Sequence, residues 1–147
     1  MTTRPPLVAW LYGLLGLVPF VAGALASLLL VENSRILAQF ALLTYGAIIL
    51  TFLGGGRWGL EIGRDPVRPA VIGGSMAPAM GSVVLLALGG VPASWRLCAM
   101  ALGFLVMWAW DVRSPEPPPW YPRLRHVLTA GAVVCLFTGA AAPLLPA

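Results

Sequence analysis

Residues Thr51–Gly63 read TFLGGGRWGLEIG: the end of a long apolar run, three consecutive glycines, then an arginine, a tryptophan and a glutamate. Upstream, the stretch Ile36–Gly56 carries no charge at all. About 20 apolar residues cross roughly 30 Å of hydrocarbon as a helix, and tryptophan and arginine gather where such a helix meets the polar interface. The stretch therefore reads as a transmembrane helix arriving at a membrane surface, with Trp58 in the aromatic belt. Two local structures fit it. If the helix continues, Gly55, Gly59 and Gly63 recur at four-residue spacing on one face, where another helix can approach closely. Arg57 and Glu61, also four apart, then share a different face and can pair. If the helix breaks at Gly54-Gly55-Gly56, the freed amides form a concave nest beside Arg57, suited to a phosphate or carboxylate. Glycine costs about 1 kcal/mol per residue in a helix, so three together permit a break without requiring one.

The rest of the chain extends this reading. Of 147 residues, 59% are hydrophobic and 10% charged, against roughly 25% charged in soluble domains; the mean hydropathy is +0.89. The pattern predicts one domain, an all-α integral membrane protein with five transmembrane helices over about 7–31, 36–56, 69–89, 94–110 and 124–142. The fourth is short, but Trp95 at one end and Trp108 and Trp110 at the other lie about 20 Å apart at 1.5 Å per residue. Glu32-Asn33-Ser34-Arg35 and Gly90-Val91-Pro92-Ala93 read as tight turns, so helices 1–2 and 3–4 are expected to be antiparallel neighbours. The other connections, Arg57–Arg68 and Asp111–Arg123, are longer. In the second, SPEPPPWYP (Ser114–Pro122) reads as an extended polyproline strap over the helix ends, with Trp120 and Tyr121 at headgroup level; PPPWYP also has the look of a ligand for a proline-recognising partner.

Nine arginines, no lysine and five acids give a net charge of +4. Arg4, Arg57, Arg64, Arg68, Arg113, Arg123 and Arg125 fall on one side of this topology and only Arg35 and Arg96 on the other. Seven against two puts the amino terminus in the cytoplasm and the carboxyl terminus in the periplasm. Ala24-Leu25-Ala26 resembles a signal cleavage site, but the apolar run continues past it to Val31, so the first helix is expected to stay. The positive charge speaks of anionic lipid headgroups; no motif for nucleic acid accompanies it.

Chemistry is sparse. One histidine and two cysteines in separate apolar runs, Cys98 and Cys135, cannot assemble a Cys/His metal cluster, and neither a cofactor nor a disulfide is expected. The middle of the bundle holds only groups such as Tyr45, Ser75, Ser82, Cys135 and Thr138, which argues against proton pumps and ion-coupled carriers. Pro19 and Pro78, flanked by Gly16 and Gly23 and by Gly74 and Gly81, predict kinks that serve packing or line a cavity. Glu61, Asp111 and His126 are the one acid/base set that helix ends could bring together. Asp111 ends a helix where the dipole disfavours an anion, which points instead to a pair with Arg57 or Arg113.

GLLGLVPFVAGAL (Gly13–Leu25), YGAIILTFLGGGRWGL (Tyr45–Leu60) and WYPRLRHVLT (Trp120–Thr129) resemble the uncharacterised domain-of-unknown-function family that includes mitochondrial transmembrane protein 69. The glycine-rich signature with His or Arg before Trp-Gly, here Gly54-Gly55-Gly56-Arg57-Trp58-Gly59, is the most specific part. Family members often carry histidine where this chain has Arg57, which speaks against an obligatory metal or proton-transfer role there. The resemblance implies five membrane helices, an inner-membrane home in bacteria or mitochondria, and no known reaction. With no Arg/Ser-rich presequence at Met1–Pro6, the bacterial inner membrane is the expected address. A looser resemblance, in helix number and tryptophan content alone, is to the tryptophan-rich sensory (translocator) family.

Three functions remain open. The first is a non-enzymatic accessory, assembly or scaffold partner of a larger membrane complex with anionic lipid on its arginine-rich face. The second is a binder or carrier of a lipophilic molecule. The third is a membrane enzyme using Glu61, Asp111 and His126. For a ligand or lipid headgroup the candidate residues are Gly54, Gly55, Gly56, Arg57, Trp58, Glu61, Asp111, Arg125 and His126.

Overall fold

In an apolar medium every backbone N–H and C=O must be met within the chain, so a hydrophobic segment this long has little choice but helix. The computed structural model describes residues 6–115 and 117–144. Among them run five α-helices: α1 (Leu7–Leu29), α2 (Glu32–Ile62), α3 (Pro69–Ala87), α4 (Ala93–Arg113) and α5 (Tyr121–Ala141), the last continued by a 3₁₀ turn, Ala142–Leu144. All five are long and apolar enough to cross a membrane. Arg4, Glu116 and the leading segment 1–5 lie outside the described residues.

The second helix departs most from expectation. It begins at Glu32, so Glu32-Asn33-Ser34-Arg35 is its first turn and no connector; the reversal is made at Leu30 and Val31, with Glu32 itself at φ 49°. It then runs unbroken through Gly54-Gly55-Gly56 to Ile62, and the amide nest does not form. The reason is energetic: an unmet backbone group in hydrocarbon costs several kcal/mol, more than glycine's roughly 1 kcal/mol penalty in a helix. At 31 residues α2 is about 46 Å long, so it must tilt or carry its ends into the headgroup layer. The loops shrink accordingly, to 63–68 and 114–120. Ser114 is extended, but Trp120 is already helical in φ and ψ and the Tyr121 amide bonds the Pro118 carbonyl, so the described part of the proline strap soon turns into α5.

Helices α1, α2, α4 and α5 form a ring, with α3 docked on the outside of α2 and touching α4 only lightly. Phe20, Leu43, Met100, Phe104 and Leu136 fill the centre. The Phe20 ring meets Tyr45 and Phe104 edge to face, with centroids 5.0 and 5.7 Å apart, a favourable geometry for the ring quadrupoles.

Glycine sets the closest approaches, though on a different face of α2 from the one its spacing suggests. A Cβ on Gly54 would lie 2.5 Å from the Ser75 carbonyl oxygen and 3.2 Å from Pro78 of α3. Among the described residues, nothing lies within 4 Å of such an atom on Gly55, Gly56 or Gly59, and Gly63, which caps the helix, has only the Leu60 carbonyl oxygen at 3.9 Å. The repeated glycines thus leave an open stripe beside exposed Trp58. The two in-helix prolines serve both expected ends. Pro78 packs on Gly54 and also lines an apolar cleft of about 470 Å³ between α3 and α4. One turn before Pro19, the Gly16 carbonyl accepts a hydrogen bond from the Tyr45 hydroxyl at 2.9 Å. Both thiols are unpaired, Cys135 buried and Cys98 half-buried.

Candidate functional site

The carboxyl ends of α2 and α4 and the start of α5 meet at one end of the ring, and there the chain buries four charged side chains. Relative exposures are 6% for Arg57, 1% for Glu61, 2% for Asp111 and 4% for Arg125. Charges so far from solvent survive only when paired, and the pairing explains the arrangement. Asp111 lies between two guanidinium groups: Arg57 Nε stands 3.8 Å from one carboxylate oxygen and Arg125 Nε 2.8 Å from the other. The Tyr121 hydroxyl approaches the second oxygen at 3.5 Å. Arg57 also donates to the Ser114 hydroxyl, which itself donates to the Trp110 carbonyl at 2.8 Å, and its guanidinium lies 4.7 Å above the centre of the Trp110 ring, within cation–π reach.

Glu61 belongs to a second latch. Arg68, just before α3, donates to its carboxylate through the backbone amide at 2.7 Å, Nε at 2.9 Å and Nη2 at 2.6 Å, and Arg64 adds an ion pair at 3.9 Å. A forked guanidinium on a carboxylate is among the strongest side-chain pairings. It folds the short 63–68 loop back over Glu61. The Arg57–Glu61 pair suggested by their spacing is thus replaced by two pairings, one to α4 and α5 and one across the loop.

His126 stands apart: exposed, its ring edge to face with Trp108 at 5.4 Å and its Nδ1 against the Pro122 carbonyl. No interaction among the described residues links any two of Glu61, Asp111 and His126. Of the two partners expected for Asp111, Arg57 is there and Arg113 is not; Arg113 instead reaches the Ala109 carbonyl at 3.5 Å. Sequence reasoning missed Tyr121, Ser114, Arg68 and Trp110. Only Tyr121 had a readable signal, four residues before Arg125 and so on the same face of α5. No group of three His, Cys, Asp or Glu side chains placed to hold a metal occurs among the described residues.

Two cavities flank Arg57, Asp111 and Arg125. One, of about 320 Å³, has Arg57, Asp111 and Tyr121 on its wall beneath Pro117 and Pro118. The other, of about 160 Å³, has Arg125 as its charged wall residue, among side chains from α1, α2, α4 and α5.

The family described as "Protein of unknown function (DUF3429)" matches residues 5–141. The chain belongs to this family. It is also 35% identical over 137 residues to transmembrane protein 69 of Xenopus tropicalis, an alignment covering 89% of this chain and 53% of the frog protein; the chain spans about half the length of that relative. No solved structure matches it. With five apolar helices and such a relative, the chain is a multi-pass membrane protein. The family match encloses Arg57, Glu61, Asp111 and Arg125 together with every helix that positions them.

Proposed function

We propose that this member of the family is a non-enzymatic protein of the bacterial inner membrane that works through contacts, as an accessory or assembly partner of a larger membrane complex. The observation that carries the reading is the open stripe of α2. Gly55, Gly56 and Gly59 present bare backbone with nothing among the described residues within 4 Å of an added Cβ, and small residues are what a second membrane helix needs for close approach. Seven arginines against two support an amino terminus in the cytoplasm and a carboxyl terminus in the periplasm. Exposed Arg113 and Arg123 would then face the anionic leaflet, each contributing about 1 kcal/mol of attraction. Catalysis by Glu61, Asp111 and His126 has the least support, since each is held by different neighbours.

Purification of the tagged chain in mild detergent tests the main reading. A protein companion in fixed ratio is expected, lost in Gly55→Leu and Gly59→Leu with the chain's own abundance unchanged. A chain that always purifies alone would sink it. A second reading, a binder of a lipophilic molecule, is favoured by the 470 Å³ cleft between α3 and α4; one small molecule in place of a protein companion would support it.

A further inference from the structure

Arg125 is a buried charged group whose needs are only partly met. It shares one carboxylate with Arg57, it is 4% exposed, and its Nη2 has no hydrogen-bond acceptor among the described residues. The Thr129 hydroxyl, one turn further along α5 and 3% exposed, also has no partner. Leaving a buried donor unmet is costly, and more so for a charged one, so the guanidinium needs a reason.

For Arg125 the reason lies beside it. Near Gly23, α1 presses on α2, where a Cβ would be 3.1 Å from Leu42. By Gly13 it presses on α5 instead, where a Cβ would be 2.9 Å from Leu128. Between these points α1 leaves α2, and the gap is the cavity of about 160 Å³ walled by Arg125, Gly16, Phe20 and Phe104. Tyr12 of α1 and Phe52 of α2 also line it, and both are exposed, so the cavity opens sideways, towards lipid, between the two helices. A cavity of about 150 Å³ takes one benzene, so this space suits a compact head and the first few carbons of one chain, the rest leaving through the opening.

We propose that this portal is a binding site for a single-chain alkyl carboxylate: the head meets Arg125 Nη2, and the chain leaves past Tyr12 and Phe52 into the bilayer. The carboxylate completes the share of negative charge that Asp111 divides between two arginines, and a guanidinium suits two-oxygen anions by its planar fork. The site is separate from the exposed arginines and the α2 stripe of the proposed function, and stands or falls without them.

Binding of radiolabelled oleate to the delipidated full chain in a maltoside detergent is the test. One saturable site per chain is expected. Arg125→Gln should weaken it at least tenfold. Gly16→Leu, which fills the void while leaving every charge in place, should do the same; the nearest atom to a Cβ there is the Tyr45 hydroxyl oxygen at 4.0 Å. Oleyl alcohol should compete at least tenfold more weakly than oleate, and phosphatidylglycerol likewise. Wild-type affinity in Gly16→Leu would overturn the proposal even if Arg125→Gln failed to fold. Equal competition by the alcohol would remove the charge recognition, and equal competition by phosphatidylglycerol would remove the carboxylate.

Discussion

The two ends of the helical ring are closed by different means. At the arginine-rich end, Asp111 joins α4 to α2 and α5 through Arg57 and Arg125, and Glu61 holds the 63–68 loop through Arg68. At the other end no buried ion pair occurs among the described residues. Gln39 Nε2 donates to the Gly139 carbonyl at 2.8 Å, the Ser27 hydroxyl is turned back on Gly23 at 2.7 Å, and Leu42 nestles against Gly23 and Gly139, where added Cβ atoms would come within 3.1 and 2.6 Å of it. The charged end depends on partners that cannot be removed singly. The glycine end depends on surface fit, which yields by degrees.

That contrast predicts its largest effect at Asp111. Asp111→Asn leaves two buried guanidinium groups without their carboxylate, and breaking such a cluster costs about 3–5 kcal/mol. An SDS-driven unfolding titration in mixed micelles should show the loss. Replacing Arg57, Asp111 and Arg125 together by leucine should recover much of it, because the expense lies in the stranded charges. If Asp111→Asn were as stable as wild type, the charged end would not be closed by its ion pairs.

Next in size is Gly54→Ala. The new methyl would meet the Ser75 carbonyl oxygen at 2.5 Å, backbone that cannot swing aside, so α3 must move off α2 at a cost of about 1–3 kcal/mol. A disulfide cross-linking assay between cysteines introduced on α2 and α3 should register the separation. Unaltered cross-linking would mean that α3 does not seat on Gly54.

The glycine end should respond more weakly. Gln39→Leu removes one interhelical hydrogen bond, and such bonds in membrane proteins average about 0.6 kcal/mol with a maximum near 1.7. The same SDS titration should find a change of that order, well below that of Asp111→Asn. An equal or larger loss would erase the distinction between the ends.

How far this was legible in the sequence depended on what each residue's neighbours contributed. The five helices follow from apolar length alone, because the bilayer leaves no other way to meet the backbone. The pairing of Asp111 with Arg57 was readable from the dipole at the end of α4, but Arg113 looked equally eligible. What excludes Arg113 is that α4 runs on through it, past the expected end at 110, so a separation of two residues puts it on the far side of the helix from Asp111. Arg125 stood in the first turns of a helix, where an arginine is ordinarily interfacial, and nothing along the chain said that α1 would cross it. Glu61 and Arg68 are joined by a loop whose course no spacing rule predicts. The glycines are the sharpest case: a period of four selects Gly55 and Gly59, yet Gly54, turned about 100° away, makes the contact because α3 arrives on that side.

The smallest predicted effect is therefore as informative as the largest. Gly55→Ala adds its methyl where nothing lies within 4 Å and replaces the poorer helix former with the better one, a gain of up to about 1 kcal/mol in an exposed helix. Within the isolated chain the unfolding midpoint should stay or rise slightly, the reverse of Gly54→Ala one residue away. If both substitutions destabilised alike, the triple glycine would be a single packing element and α2 would have no free face to offer. A neutral Gly55→Ala beside a damaging Gly54→Ala leaves the stripe unused by the fold itself, so a Gly55→Leu change that removes a copurifying protein acts on a contact outside the chain.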